Sequence, residues 1–300
     1  MIYCPTGFSP NLLLDVQNVW CWSFMQQAIE AGTLTAVVAG VVGYFVVLRR
    51  SAFTAHAFSE IGFAGAAWAV LYNIQPIVGL LLGSNLGGVA IALLGPRAKN
   101  RDTQIGIVLA FSLGLGLLFL SLYTTGYSTQ TYAILFGEIT GVSTGQVLET
   151  VGASAAILVG MGLIYRPLLF SSLDEDVAEA KGMPMLPLGI AFMVLVAVAV
   201  SFAVQVTGVL LIFSLMVTPA ATALYLAKKP SRAIVASVVI ALAATWLGLF
   251  LAFYTPYPVS FYITGEVFAF YLFVRFVYAR FGWEKAPTST LLRRPRDLSG

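Results

Sequence analysis

The chain has 300 residues, of which 59% are hydrophobic and only 10% are charged. Because a soluble domain carries about 25% charged residues, this composition excludes an ordinary soluble protein and indicates a polytopic membrane protein with little extramembrane mass. The net charge of +3 does not require a nucleic-acid partner, since the basic residues cluster at the ends of apolar runs, as membrane topology demands.

The charge pattern divides the chain into three regions. Residues 1–26 form a predicted extracytoplasmic segment, without the basic start that a cleaved signal peptide would have. Residues 27–280 form the predicted transmembrane domain, and residues 281–300 form a polar, basic cytoplasmic tail that we expect to be disordered. Cys4 and Cys21 both precede the first predicted span. A disulfide could join them, but we expect two free thiols, and two cysteines cannot form a four-thiolate zinc site.

The predicted fold class is all-α, a polytopic transmembrane helical bundle of about nine spans with a short re-entrant helix and a cytoplasmic coupling helix. Long uncharged runs, broken by turn residues or basic clusters, define the spans. The first five predicted spans are about 31–48, 52–72, 76–94, 104–124 and 146–166. Two more lie between Gly182 and Ala227 and meet at a turn over Gln205–Gly208. The eighth runs from 233 to an outer turn at Pro256 and Pro258, and the ninth ends at Arg275 and Arg280. Residues 131–145 are too short to cross the membrane alone, so they are predicted to form a re-entrant or interfacial helix.

Every basic cluster lies on one side of the membrane under this assignment. The positive-inside rule makes that side cytoplasmic, so nine spans place the N-terminus outside and the C-terminus inside. We therefore expect a multi-pass protein of the bacterial cell (inner) membrane.

The sharpest candidate site is the pair His56 and Glu60. His56 is the only histidine in the sequence, and residues four apart share one face of a helix. At about 1.5 Å per residue, Glu60 lies roughly 15 Å beyond Arg50, which is half of a roughly 30 Å hydrocarbon core. A carboxylate at that depth is costly, so by default it marks a pathway or a binding site.

An imidazole nitrogen and a carboxylate oxygen together suit Zn²⁺, Mn²⁺ or Fe²⁺. Two ligands hold a metal only weakly, as a conduit requires, so we predict a transported metal ion and no stably bound cofactor. In that case the pair should border a hydrophilic corridor through the lipid. The alternative is that His56 is interfacial and Glu60 is hydrogen-bonded between helices.

Glu138 lies in the short segment ILFGEITG. Its carboxylate could line an outer vestibule and attract cations, or it could be a solvated residue of the headgroup region. Both interpretations stay open from the residues alone.

The segment DEDVAEAKG predicts a short cytoplasmic helix. Ser171, Ser172 or Asp174 can cap its start, and a Lys-Gly pair is typical of a helix end. An acidic helix in a loop otherwise selected for Lys and Arg indicates a docking element for another protein, the alternative being a solvated loop. The candidate docking residues are Asp174, Glu175, Asp176, Glu179, Lys181 and Gly182.

Thr218 and Pro219 interrupt the seventh predicted span. A proline inside a membrane helix frees a carbonyl and permits a kink, so the two residues are a candidate hinge, although such kinks usually serve packing. The sequence contains no Gly-x-x-x-x-Gly-Lys phosphate-binding motif. We therefore do not expect this chain to hydrolyse ATP by that route, and a primary energy source must come from another subunit or from a gradient.

Four stretches, in order, resemble the membrane permease subunit of zinc, manganese and iron ABC importers, the ABC-3 family, over about residues 30–280. The stretches are LRRSAFTAHAFSEIGFAGAA, YAILFGEITGVS, LLFSSLDEDVAEAKGMPM and VTGVLLIFSLMVTPAATALYLA. They are similar to the family's Gly-Asp-Ala-Leu-Ser-His-Ala segment, its Leu-Phe-Gly-Ser-Ile-Leu stretch, its Ser-Phe-Asp-Pro-Glu loop and its Pro-Ala-Ala-Thr-Ala helix. The third and fourth similarities are the most specific.

The resemblance implies a homodimeric permease with two cytoplasmic ATP-binding subunits and an extracytoplasmic metal-binding protein. It makes the acidic segment the coupling helix that enters a groove on the ATPase. It also implies that Ser59, which matches the family, belongs to the metal path with His56 and Glu60. His56 stands where the family usually has Asp, Glu60 stands where it has His, and Glu138 replaces a usual serine. The imidazole and the carboxylate have thus roughly traded places.

From residues and resemblance together, we expect the permease subunit of an ATP-driven importer of a divalent transition metal, with zinc first and manganese or iron next. Such a chain is not itself an enzyme. Its expected partners are the ATPase, the metal-binding protein, a second copy of the chain and membrane lipid. No nucleic-acid partner is expected. The alternative is a proton-coupled secondary metal carrier that uses Glu60 or Glu138 as a proton relay and works without an ATPase.

Overall fold

The computed structural model describes residues 12–93, 101–122, 137 and 139–281. This part of the chain is all-α, as predicted. Its helices are α1 (Leu12–Cys21), α2 (Ser23–Leu48), α3 (Ala52–Leu71), α4 (Pro76–Leu93), α5 (Arg101–Leu122), α6 (Thr144–Leu173), α7 (Glu175–Ala180), α8 (Met185–Thr207), α9 (Val209–Leu226), α10 (Pro230–Tyr254) and α11 (Val259–Phe281), with a 3₁₀ turn at Ile139–Gly141 before α6.

Seven helices of the described ranges are long and apolar enough to cross a membrane, which makes the chain a multi-pass membrane protein. They are α2, α5, α6, α8, α9, α10 and α11. The apolar part of α4 is shorter, and α3 carries His56, Ser59 and Glu60, which lower its hydropathy. The predicted count of nine spans is therefore not confirmed. Of the predicted re-entrant helix over 131–145, the described portion holds the 3₁₀ turn and the start of α6, so that helix is not confirmed either.

Two helices extend beyond their predicted bounds. The helix of the first predicted span begins before residue 31, because α2 starts at Ser23 and its first two turns carry polar residues that lower their hydropathy. The helix of the fifth predicted span also extends past Arg166, because α6 continues through Pro167 to Leu173. A proline within a membrane helix removes one backbone hydrogen bond but does not have to end the helix.

The connection between α8 and α9 is also shorter than predicted. The turn expected over Gln205–Gly208 is Gly208 alone, since α8 runs to Thr207 and α9 begins at Val209. Gly208 has a φ of 82°, a left-handed conformation that glycine adopts without steric cost. The outer turns predicted at Tyr72–Pro76 and at Pro256–Pro258 do separate helices as expected.

Cys21, at the end of α1, is disulfide-bonded. The expectation of a free thiol there is therefore wrong, because spacing along a sequence does not reveal which thiols the fold brings together. The sequence contains one other cysteine, Cys4, which lies outside the described residues.

Short connections bring many helix ends together at one end of the bundle. Three-residue or four-residue links join α2 to α3, α7 to α8 and α9 to α10. Helix α10 runs antiparallel to α2, since Gly32 lies against Thr245 and Gly40 against Val238. We call this the basic end, because the following residues lie on it: Arg49, Arg50, Arg166, Lys181, Lys228, Lys229, Arg232, Arg275 and Arg280.

Helices α3 and α4 are in backbone contact along a seam of small residues. A Cβ atom placed on Gly65 would overlap the carbonyl oxygen of Gly79, and one placed on Gly79 would overlap the carbonyl oxygen of Gly65. The buried hydroxyl of Ser84 on α4 donates a 2.9 Å hydrogen bond to the Phe58 carbonyl of α3. Small residues permit such close approach in membranes, where backbone proximity and dispersion drive helix association. The seam fixes one side of α3, the helix that carries the predicted site.

Replacing Gly65 with Ala should destabilise the protein, because the new methyl group must push α4 away from α3. Overpacking of this kind costs about 1–3 kcal/mol, which lowers the midpoint of a thermal unfolding scan of the detergent-solubilised protein. Gly114→Ala is the matched control, since a Cβ there meets nothing within 4 Å and alanine favours the helix. Equal midpoints for the two variants would contradict the backbone contact.

Candidate functional site

Helix α3 presents the predicted site residues at the centre of the bundle. It packs against α4, α5, α8 and α9, so most of its surface is enclosed by protein. An alanine-rich sequence favours the helix, which starts after Ser51, where the buried hydroxyl donates to the Val46 carbonyl at 3.1 Å. His56 and Glu60 lie one turn apart on one face of α3, as the four-residue spacing predicts.

The imidazole of His56 is half-buried against α9. Its ring centroid lies 4.9 Å from that of Phe213. Its Nδ1 atom is enclosed and has no hydrogen-bond partner among the described residues. A buried nitrogen without a partner is unfavourable unless a ligand or a proton satisfies it.

The carboxylate of Glu60 is enclosed within the helical bundle. Its side chain is only 6% exposed, and its Oε2 atom has no hydrogen-bond partner within the described ranges. Phe53, seven residues before Glu60, contacts α5 at Gly106. Phe63, three residues after Glu60, contacts α5 at Gly116. Helix α5 therefore lies along the side of α3 that carries these two rings, and a hydrophilic corridor beside His56 and Glu60 stays a prediction.

Ser59, which lies between His56 and Glu60 in the sequence, is almost fully buried, with 1% of its surface exposed. Its hydroxyl donates a 2.7 Å hydrogen bond to the backbone carbonyl of His56. The proton of the hydroxyl is thus engaged by the helix itself, which leaves oxygen lone pairs available to a cation.

The donor set on α3 is small. The described residues contain no group of three or more His, Cys, Asp or Glu side chains that could hold a metal ion. The imidazole nitrogen and carboxylate oxygen of α3 would therefore bind a divalent cation with the help of water, backbone oxygens or a residue from elsewhere. Glu138, the remaining predicted ligand, lies outside the described residues.

A second acid inside the bundle, Glu266 on α11, was not singled out by the sequence reading. Both of its carboxylate oxygens are enclosed, and neither has a hydrogen-bond partner in the described part of the chain. Its signal was available, since it is the one charged residue between Pro258 and Arg275. We assign it no role.

The predicted coupling segment forms a short helix, α7, with the expected cap. The Asp174 Oδ1 atom accepts a 3.0 Å hydrogen bond from the Val177 backbone N–H, so Asp174 rather than Ser171 or Ser172 caps the helix. Gly182 follows the helix with a φ of 75°, and Lys181 lies over the Phe170 ring at 5.1 Å.

The outer surface of α7 is acidic. Ala178 is fully buried against the bundle, whereas Val177 is 42% exposed. Asp174, Asp176 and Glu179 are exposed and Glu175 is half-buried. Helix α7 thus presents three exposed acids and one exposed apolar side chain, and protein docking through this surface stays a prediction.

Pro219 lies inside α9, and the helix continues through it to Leu226. The Thr222 hydroxyl donates a 2.7 Å hydrogen bond to the Thr218 carbonyl. Proline and threonine thus perturb the ladder without breaking it, and the predicted hinge at Thr218 and Pro219 stays a prediction.

Two cavities lie at the end of the bundle opposite the basic end. One, of about 780 Å³, is almost wholly apolar and is lined by residues of α1, α2, α6 and α10, including Glu30 and Trp246. The other, of about 420 Å³, lies between Met25, the 3₁₀ turn and Tyr257. Neither cavity is lined by His56 or Glu60, so neither is an entrance that reaches the pair directly.

Residues 21–278 match the model of the ABC 3 transport family. A manganese transport system membrane protein, MntC, from Halalkalibacterium halodurans is 28% identical over 73% of this chain and 75% of its own length. The manganese import system permease protein ScaB of Streptococcus gordonii is 30% identical over 79% of this chain and 85% of its own length.

A solved structure has the same fold. PsaBC from Streptococcus pneumoniae in complex with Fab matches 89% of this chain and 96% of the compared chain, with a TM-score of 0.80 and 29% identity. The family match covers residues 21–278, which include α3, α7 and α9.

Replacing Asp174 with Ala should loosen the start of α7, because the Val177 amide loses its acceptor. Loss of such a cap costs about 1 kcal/mol, so hydrogen exchange at the Val177 amide should become roughly fivefold faster. Asp174→Asn is the matched control, since it keeps a capping oxygen while it removes the charge. Unchanged exchange in Asp174→Ala would show that the cap does not hold the helix.

Proposed function

Because this chain belongs to the ABC 3 transport family, whose members are membrane transporter subunits and not enzymes themselves, we propose that it is the permease subunit of an ATP-driven manganese importer. It forms the transmembrane pathway, while ATP hydrolysis resides in a separate cytoplasmic subunit. The family match over residues 21–278 supports this function over the proton-coupled secondary carrier, which no observation favours.

The observation that carries the proposal at the level of residues is the pair of unsatisfied atoms on α3. His56 Nδ1 and Glu60 Oε2 lie on adjacent turns, both enclosed and both without a hydrogen-bond partner among the described residues. A divalent cation between them would satisfy an imidazole lone pair and a carboxylate charge at once. The enclosure of the pair fits a closed state, so metal would enter and leave when neighbouring helices move.

The expected order of preference among transported metals differs from the order that the His56 and Glu60 donor pair alone favours. A nitrogen and an oxygen ligand put zinc first, but the relatives MntC and ScaB are named for manganese transport. We therefore put manganese first and zinc or iron next. Carboxylate, water and carbonyl oxygens suit manganese, and the few side-chain ligands on α3 leave room for such oxygens.

We propose that the basic end faces the cytoplasm, with the N-terminus outside and the C-terminus inside. The clustering of arginine and lysine there agrees with the positive-inside rule. The disulfide at Cys21 supports the same orientation, because it lies at the opposite end and disulfides persist on the oxidising side of a cell membrane. This orientation requires α3 and α4 to cross the membrane as well, which gives nine spans.

The partners follow from the same arrangement. Helix α7 lies at the cytoplasmic end and docks on the ATPase through its acidic surface. An extracytoplasmic metal-binding protein delivers the ion at the opposite end, where Glu138 would add negative potential. Two copies of the chain face each other in the membrane. Within each copy, Pro219 permits α9 to bend, and the Ser59 hydroxyl oxygen helps to coordinate the ion.

Replacing Glu60 with Gln should abolish Mn²⁺ uptake, because an amide oxygen cannot supply the charge that offsets desolvation of the cation. The measurement is ⁵⁴Mn²⁺ uptake into vesicles that contain this chain, its ATPase and its metal-binding protein. Glu149→Gln is the control, since Glu149 is an exposed acid on α6, and its uptake should equal that of the unmodified protein.

The same vesicles separate the importer from the secondary carrier. Uptake should disappear when the ATPase is omitted and should not respond to a collapse of the proton gradient. Normal uptake by Glu60→Gln, with assembly intact, would remove Glu60 from the pathway. Uptake by this chain alone would refute ATP-driven import.

Reversing the charge of the α7 surface should prevent docking of the ATPase. The triple variant Asp174→Lys, Glu175→Lys and Glu179→Lys places like charges against a surface that attracts acids, and such juxtaposition costs several kcal/mol. Co-purification of the ATPase and metal-stimulated ATP hydrolysis should both be lost. A triple variant that keeps both would contradict docking through α7.

A further inference from the structure

The side chain of Arg49 ties together three helices at the basic end. It is half-buried at the end of α2, and its Nη1 atom donates to the Ser171 hydroxyl at 3.0 Å and to the Ser172 hydroxyl at 3.3 Å. Its guanidinium also lies 5.5 Å from the centroid of the Phe192 ring of α8. One cation thus connects α2, α6 and α8.

The two serines are well placed to accept from Arg49. Each hydroxyl donates its own proton to the Leu168 carbonyl, one turn back along α6. Only oxygen lone pairs remain for a further bond, and a guanidinium, which is exclusively a donor, matches them. Because the donor is charged, each bond is stronger than one between neutral groups.

On one side, the bonds of Arg49 lead directly to the docking helix. Ser171 and Ser172 lie within the last three residues of α6, and Asp174, which caps α7, is two residues beyond Ser172. Lys181, at the other end of α7, packs on Phe170 of α6. Movement of α7 must therefore move the end of α6 to which Arg49 is bound.

On the other side, Arg49 begins the short turn that leads into α3. The Arg49 and Ser51 backbone N–H groups donate to the Phe45 and Val46 carbonyls, each at 2.9 Å, and the Ser51 hydroxyl donates to the same Val46 carbonyl. Ser51 is only 5% exposed. Backbone hydrogen bonds hold this turn to α2, and His56 lies five residues beyond Ser51, which is about 7.5 Å at the rise of a helix.

We propose that Arg49 is a positioning residue that transmits movement of the docked helix α7 to the metal-binding helix α3. This inference rests on the proposed function, since it needs an ATPase on α7 and a metal on α3. It goes beyond that function in naming the physical link. The link is a set of charged hydrogen bonds between rigid elements, which is a means of coupling two sites only if a change at one alters the other.

The neighbouring residue, Arg50, provides a matched control. It carries the same charge in the same turn, but its side chain is exposed. Arg50→Gln and Arg49→Gln remove the same charge from the basic end, so topology and membrane insertion are affected equally. They differ in the bonds to Ser171 and Ser172.

The experiment uses the full transporter in liposomes and measures Mn²⁺ transported for each ATP hydrolysed. In Arg49→Gln this ratio should fall at least about tenfold, since a hydrogen bond to a charged group shifts an equilibrium by about that factor, while ATP hydrolysis and co-purification of the ATPase persist. Arg49→Lys should restore part of the ratio, and Arg50→Gln should leave it unchanged. Ser171→Ala with Ser172→Ala should lower the ratio, and adding both to Arg49→Gln should lower it no further.

Three outcomes separate success from the two kinds of failure. The pattern above supports the link. A proportional loss of transport, hydrolysis and ATPase binding in Arg49→Gln, with the ratio unchanged, would make Arg49 a structural residue and overturn the link. If the unmodified chain binds no ATPase and transports no Mn²⁺, the proposed function itself fails, and the link fails with it.

Discussion

The structure is organised around a buried acid, Glu60, whose Oε2 atom has no hydrogen-bond partner among the described residues. An enclosed carboxylate oxygen in an apolar bundle is unfavourable unless something satisfies it, and Glu60 lies in that position with a half-buried imidazole one turn away. Enclosing such a helix requires neighbours on every side, and these neighbours must come close. The glycine contacts between α3 and α4, and the glycines of α5 that accept Phe53 and Phe63, meet that requirement. The small residues thus allow the close helix packing that encloses Glu60.

Polar contacts at the basic end complement this apolar enclosure. Within the membrane, α3 is held by close backbone packing, which is stiff and resists small displacements. At the basic end, α2, α6 and α8 meet around a single guanidinium, whose hydrogen bonds can be exchanged for water at lower cost. Close packing in the middle of the bundle thus contrasts with exchangeable hydrogen bonds at its basic end.

Much of the fold could be predicted from the sequence, because uncharged runs and basic clusters report where a chain crosses lipid. The turns at Tyr72–Pro76 and at Pro256–Pro258 are correct because turn-forming residues interrupt apolar runs that are too long for one span. The errors have local causes. Polar residues hid the first turns of α2, Pro167 suggested an end that neighbouring packing overrides, and one glycine sufficed where a four-residue turn was expected.

The candidate site was only partly predictable. Helical periodicity placed His56 and Glu60 on one face, and capping rules identified Asp174 among three candidates for the start of α7. No local pattern could reveal that α5 and α9 close over α3, since contacts distant in sequence decide this. The same limitation applies to the bond from Arg49 to Ser171 and Ser172, because its partners lie more than a hundred residues apart.

The length of α6 has a geometric consequence for whatever binds at the basic end. Its 30 residues give a rod of about 45 Å, which exceeds a hydrocarbon core of about 30 Å. Since α7 follows after one extended residue, its height and azimuth are set by the pitch of α6 and not by a slack linker. Inserting one residue near Leu173 would turn α7 by about 100° around the rod, directing its acidic surface at a different quarter of the molecule.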